Sequence, residues 1–178
     1  PDLAVLGKTL GNGYAITTVL GTQKVMSAAQ NSFISSTFFT ERIGYVAALA
    51  TLDEMEKLNS WKIISEKGAS FKNKIASISK KYNLELEITG MDALVCFNFK
   101  NIDALAAKTF ISQEMLKEGF LAGSLFYPSV AHSEKDMEDF FNSLERVFQK
   151  LSRIIQNKED ISKYLGGTSC HATFKRLN

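Results

Sequence analysis

Lys8 closes a short apolar run, Leu3-Ala4-Val5-Leu6-Gly7, and a glycine-rich turn, Gly11-Asn12-Gly13, follows it. That order sets one primary amine at the mouth of a buried strand. Burial disfavours the charged ammonium, so a lysine in such a place can present a neutral amine to a carbonyl carbon. A lysine that ends a strand also commonly points into water and does no chemistry. A second cluster, Ser35, Ser36, Thr37 and Thr40, gathers hydroxyls shortly before a helical stretch. Hydroxyls, loop N–H groups and a helix dipole together suit an anion such as phosphate. The same residue types serve equally as ordinary capping groups.

Other motifs fall short on spacing. Gly7-Lys8-Thr9 ends like a P-loop, but that pattern needs glycine where Asp2 stands. Gly11 and Gly13 begin a dinucleotide fingerprint that Ile16 breaks at the third glycine. His132 and His171 have no acid or thiol partner at metal-ligand spacing, so no metal site is expected. His132, just before a helix, suits a structural hydrogen bond. Adjacent residues such as Cys170 and His171 rarely orient as a thiol–imidazole pair. Asp2 precedes the first strand, so at ~3.3 Å per residue it lies too far from Lys8 to share one small ligand.

The elements that must position these groups follow from the hydrophobic pattern. Residues 3–6 and the β-branched run 14–20 read as strands bounded by Gly7 and Gly21. Residues 22–30 suggest a short helix and 31–40 a loop. Residues 41–58 predict a helix with Thr40 as N-cap and an apolar face of Ile43, Val46, Ala47, Ala50, Leu52 and Met55. A second helix over 61–82 presents Ile64, Phe71, Ile75 and Ile78, with its basic residues on a solvated face. Strands are expected over 84–88 and 93–99, divided by Gly90, and a short one over 120–122. Asp103 should cap a helix over 104–117, and Ser133 one over 134–156, with Asp136 in the reciprocal capping position. Met137, Phe140, Phe141, Leu144 and Phe148 form the core stripe of that last helix. A polar tail with one helical turn near 160–164 ends the chain.

The chain has 178 residues with 45% hydrophobic and 22% charged, which suits a packed core and argues against disorder. A formal net charge of +2 gives no electrostatic case for nucleic acid. No apolar run reaches the ~20 residues a membrane helix needs. No signal peptide is visible. Cys96 and Cys170 are too few for a disulfide framework. A cytoplasmic protein without membrane or nucleic-acid partners is the expectation.

The stretch from Pro1 to Gly21, PDLAVLGKTLGNGYAITTVLG, closely resembles the active-site lysine segment of class III pyridoxal-phosphate aminotransferases. Within that class it is most similar to the branch that contains glutamate-1-semialdehyde aminomutases. Ser35-Ser36-Thr37-Phe38-Phe39-Thr40-Glu41-Arg42-Ile43-Gly44 resembles the family segment whose Thr holds cofactor phosphate across a dimer interface. Ala131-His132-Ser133-Glu134-Lys135-Asp136 and the ending from Cys170 to Asn178 resemble late segments of the same branch. The likeness spans nearly the whole chain.

That resemblance implies an α/β protein, the C-terminal part of a fold-type I transferase. Residues 1–58 would be the end of the large cofactor-binding domain with a connecting helix. Residues 59–178 would be the small C-terminal α+β domain with its polar tail. Pyridoxal 5'-phosphate is the implied cofactor, carried covalently by Lys8, which is also the implied catalytic base. Thr37, with Ser36 beside it, would bind the phosphate, in a site shared across a homodimer. Small-molecule amines and carbonyl compounds would be the substrates. The family's Asp for the pyridine nitrogen lies in a long upstream portion, so the chain reads as part of a larger protein and inactive alone. Aminomutases of this branch commonly carry a Gly-Asn-Pro-like stretch after the phosphate Thr. Here Thr40-Glu41-Arg42 stands there, which points to intermolecular amino transfer, with the aminomutase as the alternative. A non-catalytic remnant or interaction module is the alternative of another class. Arg42 is either a partner for a substrate carboxylate or an exposed first-turn residue.

Overall fold

The computed structural model describes residues 1–172 and divides into two units, Pro1–Ser60 and Trp61–Asn178. The last part of the family-like ending, residues 173–178, lies outside the described residues.

The first unit begins with β1 (Leu3–Leu6) and β2 (Thr18–Gly21), an antiparallel pair in the register Leu3↔Gly21 to Leu6↔Thr18. β2 is shorter than the run 14–20 suggests. A 3-10 turn at Lys8–Leu10 and a further turn that closes from Tyr14 N–H to the Gly11 carbonyl (3.0 Å) take up the chain before Thr18. A short helix α1 (Gln23–Met26) runs into a 3-10 segment at Ser27–Asn31, and a loop follows. Helix α2 spans Ile43–Leu58 and ends at Asn59, which takes the left-handed conformation that terminates helices. It starts two residues later than expected, with Arg42 rather than Thr40 at the N-cap position. Glu41 N–H is already engaged by the Phe38 carbonyl at 3.0 Å in the preceding turn. The apolar face expected of this helix is largely exposed: Ile43, Val46 and Leu52 are open, and Ala48 alone of its residues is buried. A unit built from one hairpin and one long helix has no second layer to cover that face.

The second unit has a packed core of its own. Helix α3 (Ser60–Lys81) buries Phe71, Ile75 and Ile78 at helical spacing. Strands β3 (Leu86–Thr89), β4 (Val95–Phe99) and β5 (Leu125–Phe126) form an antiparallel sheet in the order β3-β4-β5. Alternation along β4 puts Val95, Phe97 and Phe99 inside. Helix α4 (Ala104–Lys117) starts at Asp103, whose carboxylate accepts from the N–H groups of Leu105 and Ala106 at 3.0 Å. Helix α5 (Glu134–Gln156) starts at Ser133 and contributes Phe141, Leu144, Val147, Phe148, Leu151 and Ile154 to the same core.

The third strand is not where the sequence suggests. Residues 120–122 are outside the sheet because Phe120 is spent on ending α4. Its N–H donates to the Met115 carbonyl at 2.9 Å, and Gly119 between them has φ +90°, which a residue with a Cβ rarely adopts. Pairing resumes at Leu125 and Phe126, opposite Cys96 and Val95. The Phe126 ring lies flat on Phe71, with centroids 4.2 Å apart, and so ties this short strand to α3. No helix among the described residues is long and apolar enough to cross a membrane.

Candidate functional site

Lys8 stands where β1 ends, in the first position of the Lys8–Leu10 turn. Its φ is +52°, and a non-glycine side chain held in that left-handed region stores on the order of 1–3 kcal/mol. Consecutive turn bonds hold it there: Leu10 N–H to the Gly7 carbonyl at 3.1 Å, Gly11 N–H to the Lys8 carbonyl at 3.2 Å, and Asn12 N–H to the Thr9 carbonyl at 3.1 Å. Gly11 makes the turn possible, because a Cβ at that position would lie 2.1 Å from the Tyr14 carbonyl oxygen. Strain of this kind, fixed by several hydrogen bonds, is common where a side chain must be aimed.

The lysine faces an open hollow of ≈ 490 Å³ formed wholly within the first unit. Ser36, Thr17, Tyr14 and Tyr45 bring hydroxyls to its lining, and Phe38 and Phe39 add aromatic surface. Glu41 is its one carboxylate and Lys8 its one cation. Two hydrogen bonds shape the part of the lining that runs from Ser36 to Tyr45. Tyr45 Oη donates to the Phe39 carbonyl at 3.2 Å, which pins the loop to the first turn of α2. Phe38 N–H donates to Ser36 Oγ at 3.4 Å, which leaves the hydroxyl proton of Ser36 available to an acceptor.

The sequence-expected residues distribute unevenly around this hollow. Lys8 and Ser36 share it. Thr37 is exposed and off the lining, as are Thr40 and Arg42. Asp2 sits at the opposite end of the hairpin from Lys8, where its carbonyl accepts from Thr22 N–H at 3.0 Å. The burial expected of Lys8 is absent: the residue is exposed, since a two-stranded hairpin supplies no layer above it. His132 accepts a hydrogen bond at Nδ1 from Ser129 N–H at 3.2 Å, a structural role in the second unit. Cys170 N–H donates to Thr109 Oγ1 at 2.9 Å. No cluster of potential metal ligands occurs among the described residues.

Sequence reasoning passed over Tyr14, Thr17, Glu41 and Tyr45 as site residues. Glu41 and Tyr45 carried no local signal, since Glu41 lies in the turn ahead of α2 and Tyr45 in the first turn of that helix. Tyr14 and Thr17 had none, because their placement depends on where β2 starts.

Residues 1–148 match the family model described as "Aminotransferase class-III". The chain belongs to that family. It is 25% identical over 158 residues to 3-aminobutyryl-CoA aminotransferase of Cloacimonas acidaminovorans (strain Evry), an alignment covering 86% of this chain and 38% of that one. It is 26% identical over 168 residues to glutamate-1-semialdehyde 2,1-aminomutase of Methanosphaera stadtmanae, covering 85% and 40%. Two class-III members of different activity thus match almost equally, which sets the family and not the branch. Among solved structures, the PLP internal aldimine form of the FumI protein from Sphingopyxis sp. MTA144 superposes with a TM-score of 0.80 at 25% identity, covering 88% of this chain and 38% of that one. The class-III chain described here therefore has the fold-type I architecture of the PLP-dependent transaminases. It spans about two fifths of the length of the curated relatives it matches.

Proposed function

We propose that this chain is the C-terminal part of a pyridoxal-phosphate-dependent class III aminotransferase that moves an amino group from a small amine donor to a carbonyl acceptor. The observation that carries the reading is the convergence of Lys8, held in a strained turn, and Ser36 on one aromatic hollow. Residues 1–58 are then the end of the large domain with its connecting helix, and residues 59–178 the small domain.

The donor set fits the cofactor. A primary amine, a hydroxyl with its proton free, and several aromatic faces are what a phosphorylated pyridine aldehyde requires for attachment, anchoring and stacking. When bound, pyridoxal 5'-phosphate supplies an electron sink for the carbon that loses a proton. Lys8 would hold the cofactor covalently, and its Nζ, when free, would be the base that removes and returns the substrate's α-proton. Ser36 donates its hydroxyl proton to a phosphate oxygen. Thr37, exposed and turned off its own chain's hollow, serves the phosphate of a partner subunit, so the working form is a homodimer. Tyr14, Phe38, Phe39 and Tyr45 wall the hollow and limit water at the reacting carbon.

Intermolecular transfer is favoured over the aminomutase reaction by charge. Glutamate-1-semialdehyde carries a carboxylate, and the hollow of this chain presents the carboxylate of Glu41 to it. Like charges at close range disfavour that substrate. Covalent fixing of the cofactor to the Lys8 peptide tests the reading.

A further inference from the structure

Glu41 enters the hollow with a sign opposite to the one its neighbour offered. Of the two roles open to Arg42, a partner for a substrate carboxylate or an exposed residue at the start of the helix, it is exposed at the N-cap position of α2 and does not line the hollow. Glu41, in the turn just ahead of α2, does line it, beside Tyr45 from the first turn of that helix and Phe38 and Phe39 from the loop. Its carboxylate makes no ion pair among the described residues. With Lys8 committed to the cofactor, Glu41 is the charged side chain left on the lining of this hollow.

A carboxylate among aromatic faces is a recognition surface for an organic ammonium. The carboxylate accepts charge-assisted hydrogen bonds, and each ring attracts a cation to its face. A hollow of ≈ 490 Å³ is also of the size that holds a small molecule beyond the reacting group itself. We propose that Glu41 is a specificity residue that selects donors bearing a second ammonium group, the α,ω-diamines, over simple monoamines and ω-amino acids. This rests on the amino-transfer reading above. In it, one amine of the donor reaches the position served by Lys8, and the distal ammonium meets Glu41 and the rings of Tyr45 and Phe39.

The test uses the full-length protein with cadaverine, its monoamine counterpart pentylamine, and a five-carbon ω-amino acid. Two readouts are taken: kcat/KM for each donor, and calorimetric binding of each to the cofactor-free protein. The wild type should prefer cadaverine to pentylamine, and Glu41→Gln should reduce that preference about tenfold to a hundredfold in both readouts. Glu41→Lys should move the preference to the ω-amino acid, which guards against a Gln variant that merely disturbs the loop. An unchanged cadaverine-to-pentylamine ratio in Glu41→Gln overturns the assignment. Turnover of none of the donors would sink the amino-transfer reading itself. Calorimetry would then decide the role of Glu41 separately: cadaverine binding that needs Glu41 upholds it, and absent or Glu41-independent binding overturns it.

Discussion

Lys150 Nζ donates to Glu114 Oε2 at 3.0 Å, and joins α5 to a carboxylate that α4 holds almost wholly buried. Burial works to raise the Glu114 carboxyl, and hydrogen bonds from Lys117, Lys150 and Gln113 outweigh it and hold it down at about 2, against an ordinary value of 4.5. A folded-state value below the unfolded one gives stabilisation that is complete above the unfolded value and is lost as pH falls through about 2. Denaturant melts of wild type and Glu114→Gln from neutral pH to strong acid should therefore converge on the acid side. At neutral pH the variant should be weaker by about 1–3 kcal/mol, since both lysines are half exposed and screened. A gap between the two proteins that does not change with pH would remove this account of the second unit.

Ser133 and Asp136 close the start of α5 on each other. Ser133 Oγ accepts from Asp136 N–H at 3.1 Å, and Ser133 N–H donates to Asp136 Oδ2 at 2.9 Å. Ser133→Ala should cost about 0.5–2 kcal/mol in thermal or denaturant melts, and Ser133→Thr much less. Equal losses in the two variants would point to packing rather than capping.

The elements that proved legible in the sequence are those whose ends are set by local chemistry. Asp103 and Ser133 each cap a helix by hydrogen bonds within three residues, so α4 and α5 begin and end where their sequences say. The apolar stripe of α5 was readable for the same reason, because its period is a property of the helix alone. The misreadings lie where a competing hydrogen bond decides. Phe120 had the apolar character of a strand residue, but its N–H is taken by Met115. Thr40 had the chemistry of a cap, but the turn from Phe38 to Glu41 displaces the start of α2. In the site, Lys8 stood out because a lysine between an apolar run and a glycine turn is chemically pointed. Glu41 and Tyr45 did not, because nothing local marks which helix face will meet a distant turn.

Thr37 and Lys8 should act in different sites of the same dimer. Thr37→Val should weaken cofactor affinity roughly ten- to a hundredfold by the loss of one hydrogen bond to a charged phosphate. Ser36→Ala should weaken it in the subunit that carries the change. Mixed dimers of a Lys8→Ala subunit with a Thr37→Val subunit separate the cases. If Thr37 serves its partner, one site keeps both groups and transfers nitrogen at about half the wild-type rate. A mixed dimer whose one working site binds the cofactor as weakly as Thr37→Val would place Thr37 and Lys8 in one and the same site.

The covalent role of Lys8 is open to one direct measurement. The full-length protein, loaded with pyridoxal 5'-phosphate, is reduced with borohydride, digested and examined by mass spectrometry for the modified peptide. The account predicts a visible absorption band that reduction removes, one phosphopyridoxyl group per subunit on the peptide containing Lys8, and loss of band, adduct and amino transfer in Lys8→Ala. An adduct on a different lysine, or an undiminished adduct in Lys8→Ala, would contradict it.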